Sequence, residues 1–125
     1  MSEEIKNALK QERIIDITTS GRTSGEPQRK EIWFHNIDGG RIYITGIPGT
    51  RDWYANMIAE PDFTFHLKQS VQADIPARAT PVRDEAERRR VLGAILENIR
   101  EDVEGDRDVN DWVKDSPLVE VALQI

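Results

Sequence analysis

The sequence predicts a mainly β, α+β domain in which six short strands form a small barrel with peripheral helices. Three observations support this fold class. Apolar and polar residues alternate in several short runs, as they do in strands with one buried face. Turns that contain glycine or proline separate these runs. The 125 residues, 38% of them apolar, can fill a single core, so we expect one domain over residues 1–125.

The chain begins with a short helix followed by a strand. Over residues 2–12, three apolar side chains have the i, i+3, i+4 spacing of an amphipathic helix; they are Ile5, Ala8 and Leu9. From Arg13 the apolar period changes to two. The alternation that continues to Thr19 predicts the first strand.

The next two strands form a hairpin. Alternating residues over 29–37 predict one strand, and residues 41–47 predict its antiparallel neighbour. Between them, Asp38, Gly39 and Gly40 can adopt the positive φ angles of a tight turn. This hairpin is the best-supported pair of elements in the sequence.

A short helix and two further strands follow. Thr50 is the expected N-cap of a helix over residues 51–59. Residues 62–67 alternate and predict a strand, and a loop leads from it to another strand over about residues 71–82. Pro76 in that strand predicts an edge position or a bulge, because proline has no N–H for the ladder.

The C-terminal part predicts a long helix and a final strand. Asp84 and Glu87 form a capping box of the D-x-x-E type, and the helix that follows has one apolar face. The acidic residues 104–110 predict a loop, and residues 111–114 predict a helical turn. We expect the last strand over residues 118–123, where apolar residues alternate again.

Composition excludes several classes of function. The chain has no cysteine and two histidines without metal-ligand spacing, so we expect no metal site. Its net charge of −6 argues against nucleic-acid binding, which needs a basic face. No apolar run approaches the roughly 20 residues that cross a bilayer, so we expect no membrane insertion. The charged residues 1–13 exclude a secretory signal. These observations predict a cytoplasmic protein that takes any redox chemistry from a bound cofactor.

The acidity is concentrated in the C-terminal half of the chain. Residues 1–60 hold 8 basic and 9 acidic side chains, a net charge of −1. Residues 61–125 hold 9 basic and 14 acidic side chains, a net charge of −5. An anionic ligand is therefore expected to bind in the nearly balanced N-terminal half.

The first candidate site is the loop over residues 18–30, which contains five hydroxyl side chains and two glycines. Glycines let successive backbone amides face an oxyanion, and Arg22, Arg29 and Lys30 can pair with phosphate oxygens. The loop matches neither the P-loop nor the Rossmann glycine motif. The alternative is a polar turn whose charges are solvated.

The second candidate site is residues 45–56, where a strand end passes through Gly46 and Gly49 into a helix. A helix N-terminus offers free amides and a positive dipole, and Trp53 can cover the face of a planar ring. Such a site suits an anionic heterocycle. The alternative is that Trp53 packs in the core and Asp52 serves as a first-turn acid.

Taken in order, these motifs resemble the deazaflavin-dependent nitroreductase family. The resemblance rests on T-T-S-G-R-T-S-G-E-P at residues 18–27, the hairpin turn, G-I-P-G at residues 46–49 and W-Y-A-N at residues 53–56. It extends from about residue 13 to residue 82, which is more than half of the chain.

The resemblance implies a split β-barrel of the FMN-binding type that binds the deazaflavin coenzyme F-420, with FMN as the alternative cofactor. It also implies a homodimer and an oxidoreductase that passes a hydride to a small organic acceptor, either a quinone, a nitro compound or an activated alkene. The residues expected to bind the cofactor are Arg22, Ser24, Arg29, Glu31, Ile32, Trp33, Thr45, Gly46, Ile47, Gly49, Asp52 and Trp53.

Two departures from the family pattern keep alternatives open. Thr23 and Gln28 stand where members of the family place a lysine and an arginine. The alternatives are an FMN-dependent oxidoreductase on the same barrel and a non-catalytic ligand-binding module. No residue is assigned as catalytic, and His35 and His66 receive no role because a lone strand histidine is more often structural.

Overall fold

The computed structural model of the protein describes residues 2–37, 39–99 and 108–124. These residues form four helices, α1 (Glu3–Gln11), α2 (Asp52–Ala59), α3 (Glu85–Ile99) and α4 (Val109–Asp115). They also form seven strands, β1 (Ile14–Ser20), β2 (Pro27–Trp33), β3 (His35–Ile37), β4 (Arg41–Thr45), β5 (Asp62–Leu67), β6 (Ala73–Pro81) and β7 (Leu118–Leu123).

The described strands make one antiparallel sheet in the order β2-β1-β5-β6-β7-β4-β3. β2 and β3 lie at opposite edges of this order, although only Phe34 separates them in the chain. The sheet therefore curls until its two edges meet at Phe34. The amide of Phe34 donates a 2.8 Å hydrogen bond to the carbonyl of Arg13, and its ring packs edge-on against Phe65 at 5.3 Å.

The core has two parts, one on each face of the sheet. The larger part lies inside the curl, where inward residues of β1, β5 and β6 pack against α1 and α2. The smaller part lies where α3 and α4 cover β3, β4 and β7. Ile42 and Ile44 belong to the first part and Tyr43 between them to the second, so β4 is buried on both faces.

The strand count differs from the expected six because the strand predicted over residues 29–37 is divided. Its first part is β2, which pairs with β1, and its second part is β3, which pairs with β4. The alternation of apolar residues continues through the division, so the sequence pattern carries no sign of it. The remaining expected strands correspond to β1, β4, β5, β6 and β7.

Two local expectations were wrong. Thr50 is not the N-cap of α2, because Arg51 holds that position and no side chain caps the helix. Pro76 lies in β6, which pairs with β5 and β7 in the interior of the sheet. The carbonyl of Pro76 accepts a hydrogen bond from the amide of Gln124. Because the nitrogen and carbonyl of one residue point the same way in an antiparallel strand, the proline nitrogen also faces β7, at the end of that ladder, where no N–H is needed.

Other local expectations are confirmed. The amide of Glu87 donates to the carboxylate of Asp84 at 3.0 Å, as the capping box predicts. Gly39 and Gly40 have φ angles of 73° and 122°, as expected of the hairpin turn. Asp38 of that turn and residues 104–107 of the predicted acidic loop lie outside the described residues.

Two findings apply to residues 2–37, 39–99 and 108–124. None of the helices described there is long and apolar enough to cross a membrane. Within the same ranges, no group of three or more histidine and acidic side chains is arranged to hold a metal ion.

Candidate functional site

The glycine loop between β1 and β2 is closed by its own backbone. The amide of Gly21 donates to the carbonyl of Glu26 at 2.8 Å, and the amide of Gly25 donates to the carbonyl of Gly21 at 2.8 Å. Gly25 has a φ angle of 73°, which side chains other than glycine rarely adopt. A methyl group on Gly21 would come within 2.7 Å of the Ser24 hydroxyl and 2.9 Å of the Gln28 side-chain nitrogen, so those side chains would have to move.

Asn56 fastens the loop to helix α2. It is 1% exposed, and its amide oxygen accepts from the backbone and guanidinium N–H groups of Arg22 at 3.1 and 3.2 Å. Its amide nitrogen donates to the Thr19 hydroxyl at 3.1 Å and to the Gln28 side-chain oxygen at 2.8 Å. One buried side chain thus connects the loop, both flanking strands and the helix.

A cavity of about 570 Å³ lies between the glycine loop, the inner face of β1 and β2, and the first turn of α2. We call it the loop cavity. The side chain of Lys30, which lines this cavity, makes no hydrogen bond or ion pair with any described residue, and Arg22 reaches Asp52 at 3.4 Å. The residues that line it include Thr19, Arg22, Lys30, Thr50, Arg51 and Trp53.

Trp53 is both a core residue and part of the cavity wall. It is 4% exposed, packs in the core inside the curl, and meets the ring of Tyr54 edge-on at 6.0 Å. It also lines the loop cavity. The two interpretations of Trp53, core packing and ligand contact, are therefore compatible.

A second cavity of about 700 Å³ lies on the other side of the segment 49–51, and we call it the helix cavity. Thr50, Arg51 and Ala55 line both cavities. The guanidinium of Arg51 donates to the carbonyls of Thr50 and Ile47 at 2.8 and 3.0 Å. Gly49, at a φ angle of 138°, donates its amide to the carbonyl of Asp115 at 3.1 Å, which holds this segment against the C-terminal part.

Arg88 on α3 joins the elements around the helix cavity. Its guanidinium donates to the carbonyls of Val82 and Val113 at 2.9 Å and to the carbonyls of Trp112 and Ser116. Burial lowers the pKa of Arg88 below its ordinary value.

The structure brings five of the twelve predicted site residues to the glycine loop and the start of α2. Arg22, Arg29, Asp52 and Trp53 line the loop cavity. Ser24 lines an adjoining cleft of about 250 Å³ with Arg22 and Asp52. These residues come from the loop, β2 and α2, so the two candidate sites predicted from the sequence lie next to each other and line the same cavity.

Arg29 extends from this place to the outer face of the sheet. Its Nε donates to Asp16 at 2.9 Å, and Lys68 contacts both Asp16 and Glu31. The hydrogen bond from Lys68 lowers the pKa of Asp16, and the hydrogen bond from Arg29 adds to this effect. Glu31 therefore belongs to an ion-pair network on the outer face and lies outside the loop cavity.

The other predicted residues on β2 also lie outside the two cavities. Ile32 packs against the core inside the curl. Trp33 lies on the opposite face, beneath the guanidinium of Arg13, which is 5.0 Å from the ring centre. The pairing of Ile15 with Ile32 and of Ile14 with Trp33 places these two side chains on opposite faces of the sheet.

The four predicted residues that follow Tyr43 and Ile44 lie along the approach to α2. Thr45 is buried, and its hydroxyl donates to the carbonyl of Pro117. Gly46 follows it, and Ile47 is 57% exposed. Gly49 lines the helix cavity.

Lys30, which the sequence analysis placed in the first candidate loop, also lines the loop cavity. Seven further lining residues were not predicted: Ile17, Thr19, Gln28, Thr50, Arg51, Ala55 and Asn56. Asn56 is the last residue of the W-Y-A-N motif, so its place in that motif was the available signal. The partners in its four hydrogen bonds lie between 28 and 37 positions earlier in the chain, and nothing local in the sequence indicates them.

The two histidines lie away from both cavities. His66 bridges two strands: one ring nitrogen lies 2.7 Å from the Thr18 hydroxyl and the other 2.7 Å from the Asp74 carboxylate. The hydrogen bond from His66 lowers the pKa of Asp74. Burial, with a smaller effect from Arg13, lowers the pKa of His35 to about 4.

The donors around the loop cavity suit an anionic cofactor with a planar ring. Arg22, Lys30 and Arg51 provide positive charge, and the Thr50 hydroxyl lies beside them. Hydrogen bonds from charged donors to phosphate oxygens are strong in such partly buried places. Trp53 forms part of the apolar wall that a ring would meet. These residues fit a phosphate-bearing flavin or deazaflavin.

Comparison with known proteins decides between families. The model of the family described as F420H(2)-dependent quinone reductase matches residues 2–108. The chain belongs to this family. Its members are oxidoreductases that use reduced coenzyme F-420, so the predicted family relationship, enzyme class and cofactor are confirmed. A search among curated proteins found no match.

Solved structures support the fold. A structure described as F420 reductase has a TM-score of 0.70 and 18% identity, and the match covers 100% of this chain and 97% of the other. The conserved hypothetical protein Rv2991 from Mycobacterium tuberculosis has a TM-score of 0.71 and 19% identity, with 100% and 82% covered. The heme storage protein HutZ from Vibrio cholerae has a TM-score of 0.69 and 16% identity, with 98% and 89% covered.

At these identities the structural likeness establishes the fold alone. The curled sheet with its peripheral helices is a split barrel of the type that includes FMN-binding proteins, as the sequence predicted. The family match then gives the protein its general activity, an F-420-dependent reductase.

Proposed function

We propose that the protein transfers a hydride from reduced coenzyme F-420 to a small organic acceptor, foremost a quinone. The coenzyme, when bound, supplies the hydride, which carries two electrons. The quinone takes up this hydride and one proton to become a hydroquinone, and the coenzyme is left oxidised. Nitro compounds and activated alkenes are the other acceptors that the same chemistry reaches.

The observation that carries this proposal is the loop cavity, which combines basic side chains with an aromatic wall. We propose that Arg22, Ser24 and Lys30 bind the phosphate-bearing part of the coenzyme. The first turn of α2, with Asp52 and Trp53, would then hold the ring. The other predicted residues, Arg29, Glu31, Ile32, Trp33, Thr45, Gly46, Ile47 and Gly49, would shape the surrounding strands and turn.

We propose that the acceptor binds in the helix cavity. Thr50, Arg51 and Ala55 line both cavities, so the rings of the two ligands would approach each other at these residues. Tyr54 and Val82 give the helix cavity apolar walls that exclude water from a bound ring. The protein's part is to bind and orient the two reactants.

A titration with purified reduced coenzyme F-420 and 1,4-naphthoquinone tests the proposal. We expect the coenzyme to be oxidised only when protein is present, with the return of its fluorescence as the signal. Arg22→Ala should raise the coenzyme dissociation constant about tenfold, the effect of losing one charge-assisted hydrogen bond. A flavin spectrum in the purified protein, together with no binding of coenzyme F-420, would contradict the proposal and favour FMN.

Arg78→Ala is the matched control for Arg22→Ala. Both arginines are about half exposed, and each contacts one aspartate, Asp62 for Arg78 and Asp52 for Arg22. Arg78 lies on β6, outside both cavities. We expect the control variant to bind the coenzyme as the unaltered protein does. Equal losses in the two variants would place the effect in general charge and not in the loop cavity.

We also propose that the protein forms a homodimer and is located in the cytoplasm. One similar structure, with a TM-score of 0.54 and 19% identity, is described as a domain-swapped dimer. The exposed side chain of Ile47 provides apolar surface that a second copy would cover. Light scattering during size-exclusion chromatography measures the mass directly, and a single copy would contradict the dimer.

A further inference from the structure

The helix cavity combines apolar walls with unpaired positive charge. Pro48, Tyr54, Val82 and Pro117 present apolar surface to it. Four basic side chains line the same cavity together with one acid, Asp115. This local excess of positive charge occurs in a chain whose net charge is −6, so it is a property of this place and not of the whole surface.

The four basic side chains divide into two kinds. Arg51 and Arg88 direct their N–H groups to backbone carbonyls and serve the local structure. Arg83 and Lys114 are exposed and make no hydrogen bond or ion pair with any residue of the described ranges. Arg83 lies in the segment between β6 and α3, and Lys114 lies near the end of α4. Both charges are available to a ligand.

Ser116 gives a second, independent sign of a ligand. The residue is 4% exposed and lines the helix cavity. Its hydroxyl oxygen is buried and has no hydrogen-bond partner among the described residues. A buried hydroxyl without a partner is destabilising, and such groups in folded proteins usually meet water or a ligand.

We infer that the acceptor of this enzyme carries an anionic substituent, a carboxylate, sulfonate or phosphate, next to its reducible ring. Arg83 and Lys114 bind the substituent, Ser116 donates to a ring oxygen, and the apolar walls enclose the ring. This inference rests on the proposed function in one respect: the ligand that binds in the helix cavity is taken to be the molecule that the enzyme reduces.

The test compares 1,4-naphthoquinone with 1,4-naphthoquinone-2-sulfonate. We expect a higher kcat/KM for the sulfonate, and we expect Arg83→Gln/Lys114→Gln to lower the ratio of the two values about tenfold. The same ratio should fall at 0.5 M salt, because salt screens exposed charge pairs. A double variant that keeps the ratio of the unaltered protein would overturn the inference.

The matched control is Lys10→Gln/Arg78→Gln, which removes the same two charges from exposed positions outside the helix cavity. It should keep the ratio of the unaltered protein. A fall as large as in the Arg83→Gln/Lys114→Gln variant would assign the effect to net charge and overturn the inference.

Equilibrium binding separates this inference from the proposed function. Calorimetry with 1,4-naphthoquinone-2-sulfonate, without coenzyme, should show binding that weakens about tenfold in Arg83→Gln/Lys114→Gln. Ser116→Ala should weaken it about threefold without lowering the midpoint of unfolding, since the lost hydroxyl has no partner in the free protein. If neither quinone is reduced but this binding pattern holds, the proposed function fails and the anionic site stands. If both quinones are reduced but the sulfonate binds no better than the neutral quinone, the inference fails alone.

Discussion

Asn56 shows how much one buried amide can determine. Its oxygen accepts two hydrogen bonds and its nitrogen donates two, so its capacity is filled. Asn56→Ala would leave the Arg22 backbone amide and the Thr19 and Gln28 side chains without this partner. We expect a loss of about 2–3 kcal/mol in the free energy of unfolding, measured with urea, and weaker binding of coenzyme F-420.

Ile58→Ala on the same helix is the control for this prediction. Ile58 is 42% exposed, so its replacement should cost less than about 1 kcal/mol. If Asn56→Ala is no more destabilising than Ile58→Ala, the hydrogen bonds of Asn56 do not hold the loop.

His35 makes stability depend on pH. Its pKa in the folded protein is about 4 because of burial and the charge of Arg13, against an ordinary 6.5. Between these values the unfolded chain binds more protons. Stability is therefore full above pH 6.5 and falls as the pH is lowered to about 4. The total loss from this group is on the order of 3 kcal/mol.

Unfolding in urea at pH 7 and pH 5 measures this effect. The unaltered protein should lose about 2 kcal/mol more than His35→Gln between these two values. Asp16 and Asp74 have lowered pKa values, so their contributions are lost at more acidic pH and are shared by both proteins. Equal pH slopes would show that His35 takes up its proton as readily when folded as when unfolded.

At the scale of elements, α3 and α4 pack on the sheet through an apolar core, and one guanidinium adds hydrogen bonds that link them. Arg88 donates to carbonyls at the end of β6 and at the C-terminal end of α4. Arg88→Met should lower the free energy of unfolding by about 3 kcal/mol, because several carbonyls lose a charged donor. Arg88→Lys should restore part of the loss, since an ammonium cannot reach all of them at once.

Arg90, two residues later on the same helix, provides the comparison. It is exposed and pairs with Glu87, and exposed pairs contribute less than about 1 kcal/mol. Arg90→Met should thus unfold at nearly the urea concentration of the unaltered protein. A similar midpoint for Arg88→Met and Arg90→Met would contradict the structural role of Arg88.

The elements were predictable where the pattern is local. The capping box at Asp84 and Glu87 and the glycines of the hairpin carry their geometry in adjacent residues. The division at Phe34 was not predictable, because it depends on the meeting of two sheet edges. The interior position of Pro76 depends in the same way on β7, which follows it by about forty residues.

The residues that the structure brings together at the candidate site were predictable to the same extent. Arg22, Ser24, Asp52 and Trp53 belong to contiguous motifs, and the structure brings them to one place. The helix cavity could not be read from the sequence, because its walls come from three distant segments, residues 48–55, 82–88 and 114–117. Only folding places those segments together.

At the scale of the whole molecule, the coenzyme should act as a stabilising ligand. Binding to the folded state alone adds about 2.7 kcal/mol when the free coenzyme is at a hundred times its Kd. For a chain of 125 residues this corresponds to a rise of about 10 °C in Tm. Thermal unfolding with and without coenzyme F-420 measures it. The rise should be much smaller in Arg22→Ala at the same coenzyme concentration, and an equal rise would place the coenzyme elsewhere.

The position of β7 has a consequence for how the protein is made. This strand, at residues 118–123, lies between β6 and β4 and pairs with both. Until β7 has left the ribosome, no strand connects β4 to β6, so β3 and β4 cannot join the rest of the sheet and the curl stays open. We therefore expect folding to finish only after these residues emerge. The reason is that the sheet depends on pairings between distant parts of the chain.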